Sequence, residues 1–368
     1  MIKSEIALKN IGKNLEELSH LDPRGYGVCK ILQKAAYEKY GEIPVMNAAR
    51  RINDLLRPGD NVFLLTGFVL APFNKAETDG IAGAVSIAAS LIKGYKVKPI
   101  IICPKESIDG IKAELEIMLY GMGKQVKECK KNISELKIEP EIIAFTKDKD
   151  EAKHKANELF NKYAPKLCVC IEAPGENIVG IYHNAKGENV TELEAKLDYV
   201  FEEAKSRGML TISIGDLGNE IGMGALKEYI VRYIPYTGIA DETTESCKCG
   251  CGKGTMARTE ADIVVTATVS DWGGYALSNA LALLREMPEL APKGEVIEAA
   301  LKAGAENRLI DMFGEEIPAV DGCSMEMNVM IGSLMNQLVN QAITENHRYE
   351  HWFNGVERLG YFGRFRNI

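Results

Sequence analysis

Asn61-Val-Phe-Leu-Leu-Thr66-Gly-Phe-Val-Leu-Ala-Pro-Phe-Asn-Lys-Ala-Glu77-Thr-Asp79-Gly80, running into Ile81-Ala-Gly-Ala-Val-Ser-Ile-Ala-Ala-Ser-Leu-Ile92 and then Lys98-Pro-Ile-Ile-Ile-Cys103, decides the fold class. The apolar run Val62 to Thr66 does not alternate with polar residues, so it reads as a strand covered on both faces. Ile81 to Ile92 is too long for a strand, and its small residues suit a helix pressed closely on a sheet. Lys98 to Cys103 repeats the first run. A strand, a crossover helix and a second strand make a parallel pair. The same kind of run recurs at Glu141 to Phe145, Leu167 to Ile171, Leu210 to Ile214 and Asp262 to Val269, each reading as buried on both faces. The expected fold is therefore α/β, a mostly parallel central sheet with helices on both faces and extra N- and C-terminal helices.

Outward from this core, residues 1–60 read as helical, and Pro44 to Leu56 ends at the stop Pro58-Gly-Asp60. Residues 61–290 hold the sheet and its loops, and 291–368 read as a helical C-terminal segment. With no repeat or Pro/Ser-rich linker, the expectation is one large domain over 1–368. Met327, Ile331, Leu334, Met335, Leu338 and Ala342 form a helical stripe that reads as core. The aromatic, basic tail from Trp352 is expected to dock on the domain or on a second copy, as in a homo-oligomer.

The 368 residues carry 44 Lys plus Arg against 52 Asp plus Glu, a formal charge of −8, which disfavours a nonspecific grip on nucleic acid or an anionic membrane. Without a signal-peptide core or the roughly 18 unbroken apolar residues a membrane span needs, the chain is expected to be cytoplasmic. Its nine cysteines are then expected as thiols.

In such a sheet the chemistry collects where strands end and helices begin. Four of these ends stand out. Thr66-Gly67 leads to Glu77-Thr78-Asp79-Gly80, where Thr78 or Asp79 reads as an N-cap as readily as a ligand. Ile214-Gly215-Asp216-Leu-Gly-Asn219-Glu220-Ile-Gly-Met-Gly224 combines glycines with carboxylates, at spacings unlike the G-x-G-x-x-G of dinucleotide-binding turns. Ser270-Asp271-Trp272-Gly273 opens a helix, with Ser270 or Asp271 as a cap and the indole either walling a pocket or anchoring the loop. Cys170-Ile-Glu172-Ala-Pro-Gly175 places a carboxylate at a buried strand end, which is costly unless it is used or paired. It is followed by His183, Asn184, Lys186 and what reads as a capping box, Thr191-Glu-Leu-Glu194.

Brought to one edge, Glu77, Asp79, Glu172, Asp216 and Glu220 would hold an ammonium group or a divalent cation. Helix N-termini with Arg258 or Lys186 would hold carboxylates, so the site suits a small amino acid, with a phosphate ligand as rival. Separately, Cys247-Lys-Cys249-Gly-Cys251 presents three thiols in five residues. They read as zinc ligands or as a glycine-rich loop of free thiols; zinc lacks a fourth ligand nearby in sequence, with Cys323 available only through the fold.

With these loops in view, the chain resembles the D-glutamate cyclase family, specifically the domain forming the C-terminal half of its longer mitochondrial-type members. The resemblance rests on Thr66-Gly-Phe with Glu77-Thr-Asp-Gly80, Ile171-Glu-Ala-Pro-Gly175 with Tyr182-His-Asn184, Ile214 to Gly224, Val269-Ser-Asp-Trp-Gly-Gly-Tyr-Ala276, and Val320-Asp-Gly322. Ala173 stands where the family pattern has arginine and Asn328 where it has histidine. The resemblance implies a stand-alone hydro-lyase that closes D-glutamate to 5-oxo-D-proline, with no organic cofactor and with Mn²⁺ or Mg²⁺ as a candidate ion. Glu77, Asp79, Glu172, Asp216 and Glu220 would be the catalytic set, with Glu172 or Asp216 as base and Glu77 or Asp79 as acid or metal ligand. Asp79, Asp216 and Glu220 are the candidate ligands for such an ion. Thr66, Gly67, Thr78, Gly80, Asn184, Gly215, Asn219, Arg258, Ser270, Trp272 and Gly273 would form the substrate surface. Amides after Asp79 and Asp216 would steady the oxyanion. A non-enzymatic module binding an amino acid or nucleotide, and a metal-dependent amide or lactam hydrolase, are the alternatives.

Overall fold

The computed structural model describes residues 5–121, 130, 131, 135, 138–238, 246–344, 355, 356 and 358–360. The expected tail contact from Trp352 onward falls mostly outside them. Three helices come first, α1 (Glu5–Ser19), α2 (Val28–Tyr40) and α3 (Pro44–Leu55). Pro44 sits in the first turn of α3, where its missing N–H costs nothing.

A six-stranded sheet follows, built from β1 (Asn61–Thr66), β4 (Lys98–Cys103), β5 (Glu141–Ala144), β6 (Leu167–Ile171), β7 (Leu210–Gly215) and β8 (Ile263–Thr266). Its order is β5-β4-β1-β6-β7-β8 and every pairing is parallel. A two-stranded hairpin, β2 (Val69–Leu70) and β3 (Lys75–Ala76), interrupts the loop after β1. Between and after the strands come α4 (Ile81–Tyr95), α5 (Ile108–Tyr120), α6 (Lys149–Tyr163), α7 (Asp198–Ser206), α8 (Lys227–Tyr233), α9 (Ser270–Arg285), α10 (Gly294–Glu306) and α11 (Met325–Thr344).

The unbroken apolar runs work as two interleaved faces. Val62 and Leu64 of β1 point into one core with α1, α3, α4, α9, α10 and α11. Phe63 and Leu65 point into the other with α2, α6, α7 and α8. β5 departs from expectation: as an edge strand its residues are half-buried or exposed rather than covered on both faces. Leu334 also leaves the expected core stripe, since Ile331 and Met335 face inward while Leu334 is 52% exposed. Among the described residues no helix is long and apolar enough to cross a membrane.

The strand order sets the place for chemistry. From β1 the next sheet strand in sequence, β4, lies to one side, while the adjacent β6 starts the strands on the other side. The carboxyl ends of β1 and β6 therefore border a topological switch point, where diverging loops leave a crevice.

Candidate functional site

Glycine shapes the crevice. Gly67 leaves β1 with φ 108° and donates its N–H to the Glu172 carbonyl (2.9 Å), joining the exits of β1 and β6. Gly80 precedes α4 with φ 81°, and a Cβ there would lie 2.4 Å from that of Glu172. At the crevice, Glu172 (φ 41°) and Asp321 (φ 45°) carry the strain of the left-handed region.

Six carboxyl groups, from Glu77, Asp79, Glu172, Glu194, Asp216 and Asp321, line one cavity of about 120 Å³. Phe68 to Ala71 form an apolar side with Val190, Leu217 and Met312, and Asn184, Ala185, Lys186 and Asn219 also line it. A second cavity of about 540 Å³ shares Asp216, Asn219 and Asp321 with it and reaches Arg24. Arg24 donates to Asp321 Oδ2 and to the Thr268 carbonyl, both at 2.7 Å.

Crowding these groups out of water favours their protonated forms. Burial, followed by the neighbouring Asp321 and Asp79, drives the Glu77 carboxyl well above the ordinary range. Burial, with Glu220 and Asp79 beside it, does the same to Glu172. Asp216 is raised by burial and then by Glu172 and Asp321. Glu194 is pushed up to about 8 by burial, against the Val69 N–H that it accepts. Asp79 is raised to about 7 by burial and Asp321, despite accepting three backbone N–H groups. Carboxylate oxygens of Asp79, Asp216 and Asp321 lie within 4.8 Å of one another, as do those of Glu172, Asp216 and Glu220. The first trio faces the cavity with oxygen donors alone, a set that fits a hard divalent cation.

Those backbone N–H groups correct one expectation. Asp79 accepts from Gly80 (2.8 Å), Ser270 (3.1 Å) and Asp271 (2.9 Å), so it caps α9 rather than the helix that follows it. Asp271 in turn accepts from Gly83 of α4 at 2.6 Å. The two helices thus cap each other. After Asp216, Glu220 accepts from the amides of Asp216, Leu217 and Gly218 at 2.8, 2.8 and 2.5 Å. The amides expected to meet an oxyanion are already engaged, and Glu220 braces the turn from outside the cavity lining.

Of the expected substrate surface, Asn184 and Asn219 line the cavity. Ser270 Oγ donates to Glu172 Oε2 at 2.5 Å and so touches the cavity's acid directly. Thr66, Gly67, Gly80, Gly215 and Gly273 lie behind the cavity wall, where Gly215 and Gly273 permit close packing on Glu220 and Ile214. Thr78 Oγ1 donates to the Ala319 carbonyl (2.7 Å), away from the lining. Arg258 is bound to Glu176 (2.7 Å) and Glu202 (2.5 Å) outside the cavity. Trp272 is fully buried and donates from Nε1 to Asn328 Oδ1 at 2.7 Å, an anchor rather than a wall.

The thiol loop lies behind the rim. Cys247, Cys249 and Cys251 meet His183, whose Nε2 stands 3.1 Å from Cys249 Sγ. Cys323 is instead buried in the hydrophobic core and is not part of this cluster.

A family profile described as D-glutamate cyclase-like, C-terminal, matches residues 15–336. The chain belongs to this family. Human mitochondrial D-glutamate cyclase is 28% identical over 282 residues, covering 74% of this chain. The chain spans only 39% of that human protein's length. Among solved structures, a short-chain type dehydrogenase/reductase from Mycobacterium ulcerans aligns with a TM-score of 0.24, 13% identity and coverage of 44% of this chain and 54% of that one. An actinorhodin polyketide ketoreductase aligns with the same TM-score, 11% identity and coverage of 62% and 66%. Likeness at that level carries no argument.

Among the cavity residues of this D-glutamate cyclase-like chain that escaped the sequence reading as site residues are Glu194, Asp321 and Arg24. Glu194 reads as the acid of a capping box, yet residues 191–194 form a turn and α7 starts only at Asp198. Thr191 Oγ1 accepts from Tyr182 N–H instead (3.1 Å). Asp321 lies within the family-like segment Val320-Asp-Gly322, but outside any helix or strand that would mark it as a strand-end carboxylate. Arg24 comes from the N-terminal segment, and no local spacing links it to Asp321.

Proposed function

We propose that this chain closes D-glutamate to 5-oxo-D-proline and water. The observation that carries the reading is the convergence of six carboxyl groups on one small cavity, in a chain of the D-glutamate cyclase-like family. The human relative is named as a D-glutamate cyclase. The substrate's ammonium group gives up one proton, and the resulting amine attacks the δ-carboxyl carbon. The nitrogen loses a second proton as the C–N bond forms, one C–O bond breaks, and two protons leave with that oxygen as water.

This chemistry needs one group to accept a proton and another to return it, in reach of a folded five-carbon chain. Asp216, in its ionised form, takes the proton from the ammonium. Glu172, which burial keeps protonated and Ser270 Oγ orients, gives one to the departing oxygen. Glu77 and Glu194 supply further acid around the same space, and the apolar side of Phe68 to Ala71 accommodates the methylenes. Lys186, at the rim, suits the substrate's α-carboxylate. Asp79, Asp216 and Asp321 would hold Mn²⁺ or Mg²⁺, which would supply neutralisation of the charge that builds on the attacked carboxyl.

The test is incubation of the purified chain with D- or L-glutamate, with and without Mn²⁺ or Mg²⁺, followed by chiral chromatography. Formation of 5-oxo-D-proline from the D-isomer is expected. No 5-oxoproline under any of these conditions would sink the reading.

A further inference from the structure

We propose that His183, Cys247, Cys249 and Cys251 form a closed structural zinc site that fastens the cavity rim to the glycine-rich loop behind it. The four ligand atoms, one imidazole nitrogen and three sulfurs, all lie within 4.8 Å of one another. Cys247 Sγ stands 3.4 Å from Cys249 Sγ and 3.1 Å from Cys251 Sγ. His183 Nε2 stands 3.1 Å from Cys249 Sγ. Zn–S bonds of about 2.3 Å set tetrahedral ligands roughly 3.8 Å apart, so the sulfur–sulfur separations widen by about half an ångström to admit the ion. A disulfide needs sulfurs about 2.05 Å apart and would strand the third thiol.

Local structure brings the four together. Cysteines at every second position share one side of a loop that Gly250, Gly252 and Gly254 bend with φ of 80°, 65° and 73°. Only glycine fits at 254, where a Cβ would lie 2.0 Å from the Thr237 carbonyl oxygen. His183 comes from the other side, 64 residues earlier in the chain than Cys247, which is why spacing alone leaves the set one ligand short. The imidazole is fully buried among these residues. Lys248 N donates to the Gly187 carbonyl at 2.7 Å, and Asn177 Nδ2 to the Gly254 carbonyl at 2.7 Å, so the two loops are already in register.

Three thiolates and a neutral imidazole are a soft set that suits zinc, and no position is left open for a substrate. Binding releases up to three thiol protons and leaves a net charge of −1, which Lys248 and Lys253 of the same loop offset. The consequence reaches the cavity, because the residue after His183 is the rim residue Asn184 and the His183 carbonyl accepts from Asn219 Nδ2 (3.1 Å).

Purified full-length chain from zinc-replete cells, dialysed and measured by elemental analysis, is expected to carry about one zinc per chain. Apo-protein prepared with a chelator should take up Co²⁺ with the thiolate charge-transfer and d–d bands of a tetrahedral site. His183→Asn should weaken zinc binding roughly a hundredfold or more, beyond the loss expected for an outer partner. The Co²⁺ titration of the unmutated chain stands even if that variant misfolds. Substoichiometric zinc with no such spectrum, a Cys247–Cys251 disulfide in freshly purified protein, or iron or copper in place of zinc would overturn the assignment. None of these measurements depends on turnover of glutamate.

Discussion

Two clusters of ligand-type side chains lie back to back in this chain, and they differ in hardness and in access. The carboxyl groups of Asp79, Asp216 and Asp321 offer oxygen alone and face a cavity. His183 and the three cysteines offer nitrogen and sulfur and are not part of its lining. A site that must receive and release small molecules needs the open arrangement, while a staple needs all its positions filled from within. Asn219 belongs to both neighbourhoods, lining the cavity and donating to the His183 carbonyl. On the readings proposed above, one cluster acts and the other holds.

The largest expected effect separates those roles. Asp216→Asn should lower turnover of D-glutamate roughly a hundredfold or more while zinc content and thermal midpoint stay close to those of the unmodified chain. Near-normal turnover would remove Asp216 from the chemistry. The next contrast is in pH. Asp79 and Glu194 titrate near 7 and 8 in the folded chain, well above the range of an unfolded carboxyl. The folded state therefore binds more protons between those limits, so their contribution to stability is greatest in mild acid and is lost as pH rises through 8. Thermal melts should show a loss on the order of a few kcal/mol between pH 5 and 8, reduced by Mn²⁺ or Mg²⁺. The thiol cluster should behave oppositely and shed zinc on acidification. A midpoint independent of pH over that range would contradict the protonated cavity. The smallest effect concerns Arg258, which is held by Glu176 and Glu202: Arg258→Gln should change kcat/KM by less than about twofold. A tenfold rise in KM would return Arg258 to the substrate.

Much of the sheet was legible because its strands are buried on both faces. Val62 to Thr66 and Leu167 to Ile171 announce themselves by unbroken apolar runs, whereas β5 carries that signal weakly because it sits at the edge. Glu77, Asp79, Glu172 and Asp216 could be found since each ends or follows a strand. Glu194 could not, because it reaches the cavity from a turn that reads equally well as a capping box, and Asp321 stands out only within the family-like segment Val320-Asp-Gly322, not as a strand-end carboxylate. The fate of backbone amides was equally hidden. Asp79 meets Ser270 across 191 residues, and no window of sequence contains that bond.

The mutual capping of α4 and α9 constrains how the molecule can move. Sliding either helix would pull a carboxyl from the buried N-terminal amides it caps, so the floor beneath the carboxyl groups is clasped like a buckle. Residues 184–186 border the cavity beyond that floor, next to His183, so zinc bound at the thiol loop would anchor this lip as well.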